Sequence, residues 1–166
     1  MVDLNLIELS PVRDAAGYAA GRVLIEEYAA TLGVDLCFQS LEDELAHLSE
    51  IYGPPGGALW LAGDGRGWCG CAALRALSPE VCEMKRLYVQ PAARGAALGR
   101  RLAEALIAQA RELGYRRMRL DTLAQMQVAR RLYASLGFQA IAPYYRNPLP
   151  GVLYLELALG RDPAGA

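Results

Sequence analysis

The spacing of hydrophobic residues changes from a helical to a strand-like period near residue 58. Before that point the sequence predicts three elements: an opening strand over Leu4 to Leu9, a helix starting at Ser10-Pro11 and closing at Gly33, and a second helix from a capping box at Ser40 and Asp43 to just before Gly53. The two helices are separated by the apolar segment 34–39. We expect this segment to be either a core plug or a wall of a substrate site.

Residues 58–89 have the two-residue period of β-strands. Three strands are predicted: Ala58–Ala62, Trp68–Leu77 and Val81–Val89. The first two are joined by a Gly/Asp segment, residues 63–67, that supplies the positive φ angles of a hairpin turn. Three consecutive strands with short connections predict an antiparallel meander.

Helices and strands alternate in the rest of the chain. The predicted elements are a helix from about Leu98 to Gly114, a strand around Met118 and Leu120, a helix ending at Gly137, and a hairpin of Phe138–Ile141 with Val152–Leu157. Because a helix joins the third meander strand to the strand at Met118, these two strands should be parallel. We therefore predict one α/β (α+β) domain over residues 1–166. It should have about four helices and a mixed, mostly antiparallel sheet of about seven strands.

Composition limits the classes of partner. The chain has 166 residues, of which 54% are hydrophobic and 21% charged, and a net charge of −1. It therefore has no global field to attract nucleic acid or an anionic membrane. The sequence shows neither a signal-peptide pattern nor an apolar run of roughly 20 residues. We expect a cytoplasmic protein that binds neither nucleic acid nor membrane, and the sequence leaves a homodimer open.

The four cysteines, at positions 37, 69, 71 and 82, fit neither a zinc motif nor a disulfide framework. The chain has one histidine, so we predict no metal site. Cys69 and Cys71 stand two apart in a predicted strand and should point to one face of the sheet as buried thiols.

The stretch from Cys82 to Leu102 is the strongest candidate for chemistry. It consists of a strand that stops at Pro91, a loop of small residues carrying Arg94, and a helix that begins at about Leu98. This arrangement offers backbone N–H groups and the positive end of a helix dipole to a phosphate. An anionic cofactor is therefore expected, although the loop matches neither the dinucleotide fingerprint nor the P-loop.

The loop, Arg94-Gly95-Ala96-Ala97-Leu98-Gly99, resembles the acyl-CoA-binding motif of the GNAT superfamily of N-acetyltransferases, Arg/Gln-x-x-Gly-x-Gly/Ala. Ala97 stands where the middle glycine is usual, and alanine tolerates positive φ less well than glycine. A second segment, residues 129–138, is similar to the family pattern A-x-x-L-Y-x-x-x-G-F. The order of predicted elements also resembles the whole GNAT fold.

The resemblance implies acetyl-CoA as cofactor, with no metal. It also implies a splayed pair of parallel strands whose gap holds the pantetheine arm. The cofactor-binding residues implied are Leu87, Tyr88, Val89, Arg94, Gly95, Ala96, Ala97, Leu98, Gly99 and Arg100. Arg100 and Arg101 are either contacts to the 3′-phosphate or solvated helix charges.

Two catalytic residues are implied by the resemblance. Glu83 stands where several family members carry a general base that acts through a water, although a salt bridge to Lys85 or Arg86 is the alternative. Tyr133 resembles the general acid near the coenzyme A sulfur, with a core aromatic as the alternative. Met126 stands where many relatives have an asparagine that contacts the cofactor.

The acceptor site is less well marked. Its candidate residues are Tyr28, Phe38, Gln39, Tyr144, Tyr145 and Asn147, with Glu26, Glu27 and Arg146 nearby in sequence. Ordinary loop packing is the alternative for the tyrosines. We expect direct acetyl transfer from acetyl-CoA to a primary amine of a small molecule or amino-acid-like acceptor. The alternatives are a protein N-terminal or lysine acetyltransferase and a non-catalytic acyl-CoA-binding module.

Overall fold

A seven-stranded sheet runs through the part of the chain that the computed structural model describes, residues 1–33 and 40–160. The strands are β1 Glu8–Pro11, β2 Ala58–Gly63, β3 Trp68–Ala76, β4 Val81–Val89, β5 Arg117–Leu123, β6 Gln139–Ile141 and β7 Val152–Ala158. Their order is β1-β2-β3-β4-β5-β7-β6, and every neighbouring pair is antiparallel except β4 and β5, which are parallel. The predicted sheet class, the meander and the parallel pair are confirmed.

Five α-helices occur in the described residues. They are α1 Ala15–Thr31, α2 Leu41–Ala46, α3 Leu48–Ile51, α4 Leu98–Glu112 and α5 Gln127–Leu136, with short 3₁₀ turns at Leu4–Leu6 and Pro91–Ala93. The second predicted helix is interrupted at His47, which separates α2 from α3. Ser40 precedes α2 with a φ of 54° and makes no side-chain cap, so the predicted capping box does not form.

The predicted start of the first helix is wrong. Pro11 is the last residue of β1, where it pairs with Trp60, and α1 begins only at Ala15. A proline is tolerated there because β1 is an edge strand. Asp14 caps α1 instead, its carboxylate accepting the N–H of Gly17 at 2.8 Å.

Each face of the sheet carries a core. Helix α4 covers one face through leucines four residues apart, at 98, 102 and 106, which are buried. Helix α1 covers the other face through Leu24 and Ile25. Cys69 belongs to the first core and Cys71 to the second, so the prediction that they share a face is wrong. The β2–β3 register shifts at Cys69, and this extra residue reverses the alternation.

Strands β4 and β5 pair over only three residues and then diverge. The last pair joins Glu83 to Arg119. Beyond it β4 contains a bulge, because Arg86 and Leu87 together oppose Ala72 of β3, and Arg86 has a φ of 59°. A bulge bends its strand and increases the local twist. The splayed parallel pair expected from the family resemblance is therefore present.

Among residues 1–33 and 40–160, no helix is both long and apolar enough to cross a bilayer.

Candidate active site

Where β4 and β5 diverge, a cavity opens that is lined by several of the predicted site residues. Its walls include Tyr28 from α1, Leu87 from β4, Tyr133 from α5 and Asn147 from the β6–β7 connection. Met126 also lies in the wall and accepts a weak hydrogen bond at its sulfur from the Thr122 hydroxyl, at 3.9 Å. The fold thus brings together residues more than one hundred positions apart in the chain.

Tyr133 presents a buried hydroxyl to this cavity. Its ring packs edge-on against Phe138 with centroids 5.7 Å apart, and 7% of the residue is exposed. No hydrogen-bond partner for the hydroxyl is found among the described residues, which is unusual for a buried polar group. Burial raises the pKa of Tyr133 well above its usual range, with a smaller contribution from Tyr28. The hydroxyl therefore stays protonated at neutral pH and is a donor available to a ligand.

The loop before α4 presents a row of backbone donors. Gly95 has a φ of 102°, and Ala97, which precedes the helix, has a φ of 53°. Ala97 provides no side-chain cap, and the first bond of the helix runs from the N–H of Arg101 to the Ala97 carbonyl at 3.0 Å. Within residues 1–33 and 40–160, the N–H groups of residues 95–100 bond to no protein acceptor. This arrangement fits an anion.

The arginines near this loop have different surroundings. Arg94 is exposed, and its Nε donates to the Val89 carbonyl at 3.1 Å. Arg100 donates to the Ser135 hydroxyl and pairs with Glu104 at 3.3 Å. Arg101 donates to the carbonyl of Ile7 at 2.9 Å, which ties α4 to the start of β1.

The two family-like segments are in contact. A β-carbon built on Gly99, at the start of α4, would lie 3.7 Å from Leu132 of α5, with no closer neighbour. Leu87 lines the cavity, whereas Tyr88 is buried against α1, its ring 5.8 Å from that of Tyr28. The loop at residues 94–99 lies beyond the cavity wall, after the end of β4.

Glu83 is 1% exposed and both of its carboxylate oxygens have partners. Oε1 accepts from Arg75 Nε at 2.8 Å and lies 3.9 Å from Lys85 Nζ, while Oε2 accepts from the Tyr144 hydroxyl at 2.5 Å. A salt bridge with Arg86, one of the predicted alternatives, is absent because Arg86 pairs with another carboxylate. No sequence motif marks Arg75, but it lies opposite Glu83 in the β3–β4 register.

Arg86, the positive-φ residue of the bulge, forms a buried bidentate pair with Glu44 of α2. Its Nε lies 2.8 Å from Glu44 Oε2 and its Nη2 lies 3.2 Å from Oε1. The Tyr52 hydroxyl donates to the same Oε1 at 2.5 Å, and burial raises the pKa of Tyr52 far above its usual range. Sequence analysis missed Glu44 and Tyr52, since both lie in what was predicted to be one ordinary helix.

The β6–β7 connection reaches across to β4 and β5. The rings of Tyr144 and Tyr145 lie 5.5 Å apart, and both pack against Tyr154. Tyr145 donates to the carboxylate of Asp121, and Asn147 Nδ2 donates to Asp121 Oδ2 at 3.2 Å. The tyrosines predicted as an acceptor wall therefore bond to carboxylates beside the cavity. Asp121 is a site residue that the sequence reasoning missed.

Other predicted acceptor residues do not reach the cavity. Glu26 pairs with Arg22 on the exposed side of α1, at 3.1 Å, and Glu27 accepts from Gln90 at 2.9 Å. Arg146 is exposed. Phe38 and Gln39 lie outside the described residues.

The three cysteine thiols in the described part of the chain are poor nucleophiles, and Cys37 lies outside it. Cys69, Cys71 and Cys82 are buried, and burial raises the pKa of both Cys71 and Cys82 to about 12. Across the described ranges, no group of three or more histidine, cysteine or acidic residues is placed to hold a metal ion.

Comparison with known proteins identifies a family and a set of relatives. Residues 23–138 match the model of the acetyltransferase (GNAT) family. An uncharacterized N-acetyltransferase of Schizosaccharomyces pombe is 44% identical over 97% of this chain and 100% of its own length. An uncharacterized N-acetyltransferase of Escherichia coli is 35% identical, with 72% of each chain covered.

Solved structures share the fold. An acetyltransferase from Streptococcus agalactiae superimposes with a TM-score of 0.77 at 22% identity, over 92% of this chain and 98% of its own. A structure from Salmonella typhimurium, solved with its cofactor acetyl-CoA, has a TM-score of 0.68 at 23% identity, over 96% and 97% of the two chains.

Proposed function

The chain belongs to the GNAT family of acetyltransferases, and on that premise we propose that it transfers an acetyl group from acetyl-CoA directly to the primary amine of a small, amino-acid-like acceptor. The observation that carries the proposal is the cavity between β4 and β5. Among the described residues, a buried hydroxyl in its wall has no hydrogen-bond partner, and a row of N–H groups beyond the end of β4 has no acceptor. Acetyl-CoA, which is bound in the Salmonella typhimurium structure, supplies the acetyl group as a thioester.

The donor half of the site would be held mainly by backbone. The N–H groups of residues 95–100 and the α4 dipole suit the pyrophosphate, and Arg94 adds a positive charge. The unpaired edge of β4 around Leu87 suits the amides of the pantetheine arm. Tyr133 would protonate the departing thiolate, because its hydroxyl is protonated at neutral pH and has no protein partner among the described residues.

The acceptor half would centre on Glu83. The amine must lose a proton to attack the thioester. Glu83 is a buried carboxylate held by Arg75 and Tyr144 at the last β4–β5 pair, next to the cavity-lining residues Met84 and Lys85 in sequence. Tyr144 already donates to Glu83 Oε2, so we propose that its hydroxyl relays the proton to the carboxylate. A backbone N–H in the β4 bulge would stabilise the oxyanion that forms at the thioester carbonyl.

A small acceptor is favoured over a protein by the inward direction of the β6–β7 connection. Tyr144 and Tyr145 bond to Glu83 and Asp121 and so cover the sheet at the point where an extended peptide would need an open groove. Protein acetylation remains the second candidate within the same chemistry.

The test is a screen of the purified full chain with acetyl-CoA against amines, amino acids and lysine-containing peptides, with free thiol as the readout. We expect thiol release with at least one class of small primary amine. Release with peptides alone would assign protein acetylation. Calorimetric binding of acetyl-CoA without release for any amine or peptide would indicate a non-catalytic binding module.

A further inference from the structure

The charged side chains around the cavity are unequally neutralised. Arg86 is matched by both oxygens of Glu44, and Glu83 is matched by Arg75 at 2.8 Å. Lys85 also lines the cavity, and only 9% of its side chain is exposed. Its Nζ lies 3.9 Å from the nearest carboxylate oxygen, Glu83 Oε1, which is too far for a hydrogen bond.

This buried ammonium group therefore lacks an acceptor. In the described part of the chain Lys85 Nζ donates no hydrogen bond, although an ammonium has three donors and is costly to bury without partners. The surrounding ionisable groups are three cations and two carboxylates, namely Arg75, Lys85, Arg86, Glu44 and Glu83. Asp121 of the same cavity brings the count to three positive and three negative charges when all are ionised, so the group is neutral as a whole. The Lys85 ammonium on β4 and the Asp121 carboxylate on β5 are the two members without a hydrogen-bonded ion pair among the described residues.

The same cavity offers one negative charge without a cation. Asp121 lines it, and the partners of its carboxylate, the Tyr145 hydroxyl and the Asn147 amide, are both uncharged. Within the ranges that the structure covers, Asp121 forms no ion pair. A molecule in the cavity thus meets, within the described residues, an ammonium on β4 that lies 3.9 Å from Glu83 without a hydrogen bond, and a carboxylate on β5 without an ion pair.

We propose that Lys85 binds the carboxylate of the acceptor and that the acceptor is a free amino acid, whose ammonium group is received by Asp121 before Glu83 takes its proton. This assignment rests on the proposed function, since it names the acceptor of that reaction. It makes Lys85 a specificity-determining residue of the site. Arg146, the arginine that the sequence places near the acceptor, is exposed and is not needed for this role.

The test compares an amino acid with its amide, which keeps the amine and loses the carboxylate charge. For the wild type, kcat/KM should favour the amino acid by about tenfold or more, as expected for a charge-assisted hydrogen bond. Lys85→Met should remove this preference by raising KM for the amino acid alone, and Lys85→Arg should retain part of it. Equal losses on both compounds, or no wild-type preference for the carboxylate, would overturn the assignment.

If the proposed function is wrong, the outcome differs from that of a wrong carboxylate assignment. In that case no amine releases thiol with the wild type, and binding of the amino acid by calorimetry then decides the role of Lys85. Binding by the wild type that is lost in Lys85→Met supports the carboxylate site. Equal binding by both proteins, or binding by neither, rejects it.

The pH dependence of the free energy of unfolding checks whether Lys85→Met folds normally. Burial lowers the pKa of Lys85 below its ordinary value of 10.5. Its charged form is therefore disfavoured in the fold, and stability that is present above pH 10.5 is lost as the pH falls through the lowered pKa. Lys85→Met should thus be more stable than the wild type at neutral pH, by a margin that shrinks as the pH rises towards 10.5. A variant that loses both stability and binding would indicate a structural lysine instead.

Discussion

Glu44 and Arg86 form a buried bidentate ion pair at the point where β4 turns away from β5. Arg86 is held at a φ of 59°, a conformation that costs a non-glycine residue about 1–3 kcal/mol. The two hydrogen bonds that the guanidinium donates to Glu44 fix its position and so keep the bulge in place. A contact between α2 and the sheet thereby supports the opening of the cavity.

Replacing Glu44 by Gln should reduce the free energy of unfolding by about 3 kcal/mol or more, because it leaves the Arg86 charge buried without a counter-ion. Urea denaturation of both proteins measures this difference. The matched control is Glu50→Gln on α3, which is exposed and should change stability by no more than about 0.5 kcal/mol. A Glu44 variant as stable as the Glu50 variant would show that the ion pair does not hold the bulge.

Ala97→Gly should stabilise the protein by about 1 kcal/mol, because glycine adopts the φ of 53° found at this position without the steric cost of a β-carbon. The neighbouring change Ala96→Gly is the control. Ala96 has no positive φ, so that substitution should be neutral or destabilising. Thermal unfolding compares the two, and equal destabilisation by both would contradict the left-handed geometry at Ala97.

Arg94→Ala should weaken coenzyme A binding by about tenfold, the loss expected for one charge-assisted contact to a phosphate. Calorimetry measures the affinity, and turnover at saturating acetyl-CoA should fall less. Arg116→Ala removes an equally exposed arginine that pairs with Glu80 at 3.4 Å and should leave the affinity unchanged. A lower saturated rate with unchanged affinity would place Arg94 in the acceptor site.

Tyr133→Phe should lower kcat by about 100-fold, the effect expected for loss of a general acid, with little change in KM for acetyl-CoA. Steady-state kinetics at varied acetyl-CoA gives both constants. Tyr115→Phe is the control, since its hydroxyl donates to the Gly56 carbonyl at 2.6 Å and should affect stability without changing kcat. A Tyr133 variant with the wild-type rate would remove this residue from the mechanism.

The sequence predicted best those elements that lie between clear turn signals, such as the Ser78-Pro79 and Pro91 positions on either side of residues 81–89. Residues 81–89 were predicted as one strand and form β4 with the same bounds. Ser10-Pro11 was wrongly predicted to start a helix. A serine before a proline is also compatible with an edge strand, and only the pairing with β2 decides between helix and strand. The break at His47 that separates α2 from α3, and the contact of Glu44 with Arg86, are not marked by any local pattern.

The candidate site was predictable only where a motif covers it. Tyr133 lies in a family-like segment and the fold places it in the cavity wall. Glu83 lies at the last β4–β5 pair and is not among the residues that line the cavity. Arg75 belongs to the site because it lies opposite Glu83 in the β3–β4 register. Asp121 belongs to it because Asn147 of the β6–β7 connection folds back and binds it. Neither contact can be predicted from the neighbouring residues in the sequence. Lys85 was predicted as an alternative partner for Glu83, and the structure places its Nζ 3.9 Å from Glu83 Oε1, an ion pair without a hydrogen bond.

Direct transfer of the acetyl group is supported by the burial and protonation of the cysteine thiols. Cys71 and Cys82 are buried thiols with a pKa of about 12, so neither provides a thiolate for an acyl-enzyme at neutral pH. This favours the proposed direct attack of the amine on the thioester.

The most direct measurement follows the acetyl group. The wild-type chain is incubated with acetyl-CoA labelled in the acetyl carbons and an accepted amine, and mass spectrometry locates the label at short times. We predict label on the acceptor nitrogen in an amount equal to the thiol released, with none attached to the protein. Label held covalently by the protein, or released only as acetate, would contradict direct transfer to an amine.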